Sequence, residues 1–446
     1  MSNRQELKMN VPFFRPSLTD AEVNEVVECL RSGWLTTGPR TKRFESDFAA
    51  AVGATHAIAL NSATAALHLA VDALGLKANQ AVLVPTMTFA ATAEVVRYLG
   101  AIPLLVDCDP VTLNMDLADA ERKIEQLRKG QTPLDPSLPV VGIIPVHVGG
   151  LMMDMDAVQA FADRHGLWVV EDAAHALPAA YTTSGQWSVV SGPSETASGH
   201  LPISNPQSSI TNPSTAWRRC GENTAAVTCF SFYANKTMTT GEGGMAVTDD
   251  ENLALRIRQM SLHGLSHDAW KRYAGNHAWD YRIVAPGYKY NITDIASSLG
   301  IHQLARAEEM RQDRQRIARF FLAELADVAE VELPPDPADR IHSWHLFPIR
   351  LRLDRLSIDR NEFMVQLRER GVGCSVHWRP LHLHPYYEET FHWRPEHLPA
   401  MSTEWLRRVS LPLFQGMREE EYRYVATVVR ELCMSHARQV GKYNVS

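Results

Sequence analysis

Apolar residues along the chain follow two alternating patterns, one typical of buried strands and one typical of helices. Short runs that are apolar at nearly every position predict strands of a sheet covered on both faces; they lie at 57–60, 81–85, 102–106, 140–146, 167–170, 226–232 and 245–248. Apolar residues spaced three or four apart predict helices at 20–32, 43–52, 65–74, 89–99, 155–164 and 252–262. Strands separated by helices indicate the α/β class, with a mainly parallel sheet flanked by helices.

The pattern changes after residue 290. Helical spacing continues from 293 to about 328, and we expect this long helix to join a large domain, residues 1–290, to a smaller α+β domain, residues 291–446. A stretch rich in Ser, Pro and Gly at about 184–221 predicts an exposed insertion in the large domain.

Polar residues with useful chemistry follow several of the predicted strands. In parallel sheets, ligands bind at the carboxyl ends of the strands, where this sequence has Asn61, Asp107, His147, Asp172 and Lys236. Lys236 lies in FSFYANKTMTTGEGG, where glycines allow the backbone to approach a ligand closely. A lysine shielded from water can lose its proton and attack a carbonyl. Taken alone, it would be interpreted as an exposed lysine beside a turn.

The segment from Asn61 to Thr64 joins a predicted strand to a predicted helix through small polar residues. This arrangement points backbone N–H groups at an anion such as phosphate, although a simply capped helix has the same pattern. A lysine, a phosphate site, a carboxylate and a nearby aromatic ring are together what pyridoxal 5′-phosphate (PLP) requires. Its aldehyde needs an amine, its pyridine nitrogen an acid, its phosphate N–H donors and its ring a flat neighbour.

The bulk composition is ordinary for a soluble globular protein, which we expect to be cytoplasmic. The net charge is -7, which gives no electrostatic reason to expect nucleic acid or an anionic membrane as partner. There is no apolar run of the length of a membrane span or a secretory signal. The 6 cysteines are scattered and form no C-x-x-C pair, so we expect reduced thiols and no metal site.

Seven motifs in order extend this picture: GWLTTGP (33–39), HAIALNSATAALHLA (56–70), PVHVGG (145–150), EDAAHA (171–176), FSFYANK with GEGG (230–244), GYKYNITDI (287–295) and HWRPLH (377–382). Through them the chain, from about residue 12 to 432, closely resembles the DegT/DnrJ/StrS family of PLP-dependent nucleotide-sugar aminotransferases. The resemblance implies fold type I, the aspartate aminotransferase-like architecture, with a seven-stranded sheet. It is nearest to the branch of the aminoarabinose enzyme, which aminates C4 of a UDP-linked 4-keto sugar.

The resemblance also implies roles for individual residues. Lys236 would form the Schiff base and move protons, Asp172 would pair with the pyridine nitrogen, and His175 would lie near the ring oxygen. The other expected cofactor contacts are Ala63, Thr64 and Ser231 at the phosphate, Phe89 over the ring, and Asn291, which would reach the phosphate in the partner subunit of a homodimer with shared active sites. Expected contacts of the nucleotide sugar are Thr36, Tyr233, Tyr288, Lys289 and His377.

Several of these residues also have a purely structural interpretation. Asp172 could cap a following helix, and Asn291 could cap the helix that starts near 293. His175, His377 and His382 could be packed core histidines. Arg379 is one candidate for binding the carboxylate of the amino donor, since a guanidinium binds a carboxylate with two hydrogen bonds.

The implied activity is transfer of an amino group, which we expect to come from L-glutamate, to the C4 keto group of a nucleotide-linked sugar for cell-surface polysaccharide or lipopolysaccharide synthesis. Amination at C3 is compatible with the same motifs. A related sugar 3-dehydratase has His in place of the Schiff-base lysine, and Lys236 argues against it. A non-catalytic regulator with this fold is the alternative outside the enzymes.

Overall fold

A computed structural model describes residues 9–182, 217–265 and 282–438. Its strands are β1 (His56–Leu60), β2 (Ala81–Pro85), β3 (Ile102–Val106), β4 (Val140–Ile143), β5 (Trp168–Asp172), β6 (Ala180–Tyr181), β7 (Arg218–Arg219), β8 (Val227–Ser231), β9 (Gly244–Thr248), β10 (Val331–Glu332), β11 (Arg340–Ile341), β12 (Phe347–Leu351) and β13 (Arg408–Leu411).

Its α-helices are α1 (Asp20–Ser32), α2 (Pro39–Val52), α3 (Ala63–Ala73), α4 (Ala91–Tyr98), α5 (Leu117–Arg128), α6 (Met155–His165), α7 (Glu251–Met260), α8 (Asp294–Ala305), α9 (Ala307–Glu324), α10 (Arg360–Glu369), α11 (Pro385–Phe391), α12 (Pro399–Glu404) and α13 (Glu419–His436). None of these helices is long and apolar enough to cross a membrane.

Seven strands form the central sheet, in the order β1-β9-β8-β5-β4-β2-β3. Within it, β3, β2, β4, β5 and β8 pair in parallel, and β9 runs antiparallel to both of its neighbours. The strands are buried almost throughout because helices cover both faces, as their continuous apolar sequences predict. The predicted fold class, a mainly parallel seven-stranded α/β sheet, is confirmed.

A second, smaller core lies beyond this sheet. Strands β10, β12 and β13 form an antiparallel sheet, against which α9, α10 and α13 pack through residues such as Phe321, Phe363 and Val425. Val11, near the start of the described chain, also belongs to this second core. The division at residue 290 stays a prediction, and Ile301 and Leu304 of α8 pack in the first core.

The prediction of a single long helix from 293 to 328 is wrong in one respect. The helix is interrupted at Arg306, which separates α8 from α9. The Arg306 side chain donates to Glu22 Oε1 at 2.7 Å, which ties the break to α1. Helix α8 therefore packs on the first core and α9 on the second. The predicted insertion at 184–221 lies, apart from its last residues, outside the described residues.

Candidate active site

A loop between β8 and β9, residues 232–243, carries Lys236 at the carboxyl end of β8; we call it the lysine loop. The Lys236 N–H donates to the Tyr233 carbonyl at 2.9 Å, and the Thr239 hydroxyl donates to the Phe232 carbonyl at 3.0 Å. The Thr239 N–H also donates to Gln303 Oε1 of α8 at 3.2 Å. These bonds fix the backbone of the loop, so Lys236 projects from an ordered support.

The Lys236 amine has an altered acidity. Burial, together with the positive charge of Arg314, lowers the pKa of Lys236 to about 7, against the opposing effect of the Asp172 carboxylate. At neutral pH a large fraction of this amine is therefore unprotonated. An unprotonated lysine is the form that reacts with an aldehyde.

Asp172 ends β5, the strand that lies beside β8 in parallel, with Asp172 opposite Cys229. Its Oδ2 accepts from the Thr92 hydroxyl at 2.8 Å and its Oδ1 from the Ala174 N–H at 3.2 Å. Burial raises the pKa of Asp172 even though both bonds and the Lys236 charge act to lower it. The buried carboxylate thus lacks full compensation, and a protonated ring nitrogen would supply the missing positive charge. No helix follows Asp172 directly, so the capping interpretation is wrong.

His175 is buried three residues after Asp172, against side chains of the second core. Its ring stacks on Trp378, with centroids 5.0 Å apart and planes at 23°, and lies 4.1 Å from the His345 ring centroid. Burial, with the nearby charges of Lys236 and His377, lowers the pKa of His175 well below its usual value. The Nδ1 atoms of His175 and His345 are buried without a hydrogen-bond partner in the described structure. Such an orphaned nitrogen fits a polar atom of a bound ligand.

The amino end of α3 is the predicted phosphate site. Ser62 caps this helix by accepting from the Ala65 N–H at 3.1 Å, while Ala63 and Thr64 are only partly buried. Gly244 lies against this turn: a Cβ there would stand 2.3 Å from the Ser62 carbonyl carbon and 2.5 Å from the Ala63 nitrogen. Only glycine lets β9 approach so closely, which brings Ser231, opposite Gly244, to the same helix end. Free N–H groups at a helix start suit a phosphate.

Asn291 lies beside this turn but does not cap α8. The cap is Thr293, whose hydroxyl accepts from the Ala296 N–H at 3.2 Å, so the capping interpretation of Asn291 is wrong. The Asn291 amide instead donates to the Thr37 hydroxyl at 2.7 Å and accepts from the Lys289 ammonium. Asn291, Lys289 and Thr37 therefore form a polar group that holds the loop before α2 near the segment that follows Leu60.

The remaining predicted contacts differ in exposure and in packing. Phe89 and Tyr233 are 62% and 47% exposed, and Thr36 is also exposed. Tyr288 stacks on Tyr290 with centroids 5.0 Å apart and packs on His68 of α3, at 4.7 Å.

The two histidines of the HWRPLH motif differ. His377 is partly buried, and burial, together with the Lys236 charge, lowers its pKa to about 3. His382 is buried between Thr86 and Ser402, with both ring nitrogens bonded at 2.8 Å, as expected of a packed core histidine. Arg379 donates to the carbonyl of Leu383, a residue of its own segment, at 2.9 Å and 2.6 Å.

Behind Asp172 lies a buried polar network that the sequence analysis did not identify. Glu171 Oε1 accepts from His147 Nε2 at 2.6 Å, and Oε2 accepts from the Thr224 and Thr228 hydroxyls at 2.5 Å and 2.6 Å. Possible ligand atoms of His147, Glu171 and Cys220 lie within 4.8 Å of one another. His147 Nδ1 accepts from a backbone N–H, so its proton is on Nε2 and the pair is already satisfied as a hydrogen bond.

The site also recruits residues that no local signal could identify. Thr92 holds Asp172, while His345, Trp378 and Arg314 come from segments far from Lys236 and Asp172 in sequence.

Comparisons with known proteins agree with this geometry. Residues 16–430 match the model of the DegT/DnrJ/EryC1/StrS aminotransferase family. The spore coat polysaccharide biosynthesis protein SpsC of Bacillus subtilis is 37% identical over 423 residues, covering 95% of this chain and 97% of SpsC. A putative sugar aminotransferase from Streptococcus pneumoniae, Spr1654, superposes with a TM-score of 0.79 at 29% identity over 96% of this chain and 98% of its own.

The sugar aminotransferase CalS13 from Micromonospora echinospora superposes with a TM-score of 0.75 at 26% identity, over 94% of this chain and 99% of its own. The family is PLP-dependent, and the half-buried lysine, the uncompensated Asp172 carboxylate and the open start of α3 fit that cofactor. The chain belongs to the DegT/DnrJ/EryC1/StrS aminotransferase family.

Proposed function

We propose that this protein transfers the amino group of L-glutamate to the C4 keto group of a nucleotide-linked sugar, in the synthesis of a cell-surface polysaccharide or lipopolysaccharide precursor. The observation that carries the proposal is the pairing of Lys236, whose pKa is lowered to about 7, with Asp172 on the neighbouring strand. The likeness to SpsC, named for spore coat polysaccharide biosynthesis, supports a polysaccharide precursor, and the likeness to sugar aminotransferases supports a sugar acceptor.

Five sets of residues would hold the cofactor. Asp172, oriented by Thr92, would pair with its ring nitrogen, and His175 would offer its free Nδ1 to the ring oxygen. Ala63, Thr64 and Ser231 would bind the phosphate, with Phe89 over the ring and Lys236 as the point of covalent attachment. When bound, PLP supplies an electron sink through which an amino group passes from one carbon skeleton to another.

Lys236 is the residue that moves protons in this proposal. Its Nζ, near half-protonated at neutral pH, takes the proton from the α-carbon of the donor and later returns one to the sugar carbon. Since donor and acceptor use the same site in turn, ping-pong kinetics follow. The buried rings of His175 and His345, with the partly buried Trp378 stacked on His175, would limit the access of water to this part of the site.

A further set of residues would bind the nucleotide sugar, and one would complete the site across a homodimer. The residues that would contact the sugar substrate are Thr36, Tyr233, Tyr288, Lys289 and His377. Asn291, which accepts from Lys289 and donates to Thr37 near the start of α3, would reach the cofactor phosphate of a second subunit.

A substrate screen tests the proposal. Purified protein with cofactor is treated with L-glutamate until its visible absorbance band is lost, and UDP-, dTDP- and GDP-linked 4-keto and 3-keto sugars are added singly. We expect a 4-keto sugar to restore the band, and Lys236→Ala to show no such band. Restoration by a 3-keto sugar alone would move the aminated position to C3, and restoration by none of the sugars would contradict the sugar assignment.

A further inference from the structure

Helix α9 carries a guanidinium, that of Arg314, buried at the junction of the two cores. Arg314 is 1% exposed. Its Nη1 donates to the carbonyls of Trp344, His345 and Leu413 at 3.3, 3.4 and 2.9 Å, and its Nε donates to Gln415 Oε1 at 3.0 Å. Among the described residues, none of these acceptors is a carboxylate. A buried charge without a direct counterion is costly, so this one calls for a role.

The hydrogen bonds of Arg314 lead to the lysine loop. Because Arg314 donates to the amide oxygen of Gln415, the Gln415 amide nitrogen is left to donate, and it does so to the Thr237 carbonyl at 3.4 Å. Thr237 directly follows Lys236. Gln415 and Gln303 thus hold the loop from two sides, one from the second core and one from α8.

We propose that Arg314 is a positioning residue for Lys236, which holds the lysine loop through Gln415 and supplies buried positive charge beside the lysine amine. The inference rests on the proposed role of Lys236 as the reactive amine. It extends that role by proposing that a residue of the second core, Arg314, influences the protonation of the amine.

Two charged groups act on the Lys236 amine, and Arg314 is the cation of the two. They are Asp172, which favours the charged amine, and Arg314, which opposes it. The charge of Lys236 also acts on His175, His345 and His377, but burial lowers the pKa of each imidazole, to about 3 for His377, so they are neutral at pH 7. Burial lowers the pKa of Arg314 to about 10, which leaves it protonated at pH 7.

Competitive labelling of the cofactor-free full-length protein tests this inference. The rate of acetylation of Lys236 by trace acetic anhydride is followed by mass spectrometry from pH 5 to 11. We expect a midpoint near 7 for the unchanged protein. Arg314→Gln should raise it by about one pH unit or more, since a nearby like charge has been removed. Arg314→Lys keeps the positive charge, so its midpoint should return most of the way to that of the unchanged protein.

Two further variants separate this effect from general disturbance. Arg316→Gln is the matched control: it lies on the same helix, two residues away, and donates to Asp313 and Tyr422. It should leave the midpoint unchanged. Gln415→Glu, nearly isosteric, places a negative charge beside Arg314 and should raise the midpoint even where Arg314→Gln does not fold.

The inference is overturned by an unchanged midpoint in a folded Arg314→Gln or Gln415→Glu variant, folding being checked by thermal unfolding. An equal shift in Arg316→Gln also overturns it. Because no donor or sugar enters the measurement, its result is independent of the substrate screen. A failure of one is therefore distinguishable from a failure of the other.

Discussion

Replacing Thr92 by valine should weaken cofactor binding by removing a hydroxyl donor from Asp172. The Thr92 hydroxyl donates to Asp172 Oδ2 at 2.8 Å, and the Ala174 N–H, at 3.2 Å, is the other donor in the described structure. Valine has a similar shape and no hydroxyl, so the change removes one of two donors from a buried carboxylate. The lost hydrogen bond stabilises the ionised form of Asp172, which is the form that pairs with a protonated ring nitrogen.

The size of the effect follows from the kind of bond. A hydrogen bond to a charged group contributes about 1.5–3 kcal/mol. At about 1.4 kcal/mol per factor of ten, the Kd of PLP should rise about 10- to 150-fold. Burial already raises the pKa of Asp172, and losing Thr92 raises it further. Because binding weakens as the carboxylate takes up a proton, the fall in affinity at acidic pH should start at a higher pH in the variant.

Equilibrium titration of cofactor-free protein with PLP, followed by absorbance, measures this Kd across pH. Thr248→Val is the matched control, since Thr248 is also buried and donates a 2.7 Å hydrogen bond, to the Ala226 carbonyl, outside the site. In an Asp172→Asn background, Thr92→Val should have little further effect. A Kd within twofold of the unchanged protein, or an equal loss in Thr248→Val, would refute the reasoning.

Three further predictions concern the lysine, the glycine beside α3 and the second motif histidine. In the cofactor-free protein, the unfolded chain holds its Lys236 proton up to pH 10.5 while the folded one loses it near 7, so stability should rise with pH across this window. The free energy of unfolding should rise by about 2 kcal/mol after allowing for partial exposure of the amine. Urea unfolding measures this rise, which should be absent in Lys236→Met. Gly244→Ala should cost about 2–4 kcal/mol and weaken PLP binding, because its Cβ would stand 2.3 Å from the Ser62 carbonyl carbon; a melting temperature unchanged within error would contradict this. His382→Leu should lower stability by about 1–3 kcal/mol because it removes the hydrogen bond between the Thr86 hydroxyl and the imidazole, with little change in the Kd of PLP, whereas an intact stability with lost PLP binding would place His382 in the site.

Local sequence patterns predicted the sheet because its strands are apolar at nearly every position. The first turn of α2 was missed for a physical reason. Its N–H groups at Gly38 and Thr41 are bound by the Asp294 carboxylate, which lies 253 residues from Thr41 in sequence. The break at Arg306 has no glycine or proline to announce it and depends on an ion pair with Glu22. Contacts between distant segments decide both features.

The residues of the site likewise divide into those that local patterns predicted and those that depend on contacts between distant segments. Lys236 and Asp172 were predicted as neighbours because both follow strands of one parallel sheet, and β5 and β8 do pair. His345 and Trp378 come from segments whose relation to the sheet depends on how the two cores pack. The cap of α8 was predicted at Asn291 as one alternative, yet the next candidate, Thr293, has the required position. Residue type indicated that a cap was near, and backbone geometry decided which residue it is.

The central claim is that Lys236 enables transfer of an amino group to the C4 carbon of a nucleotide-linked sugar. The most direct measurement incubates the protein, PLP and ¹⁵N-labelled L-glutamate with the 4-keto sugar identified in the screen, and locates the label by NMR. We expect ¹⁵N bonded to C4 of the sugar, with one 2-oxoglutarate released per sugar aminated, and no labelled sugar with Lys236→Arg. Labelled sugar at an undiminished rate with Lys236→Arg, or label at another carbon, would contradict it.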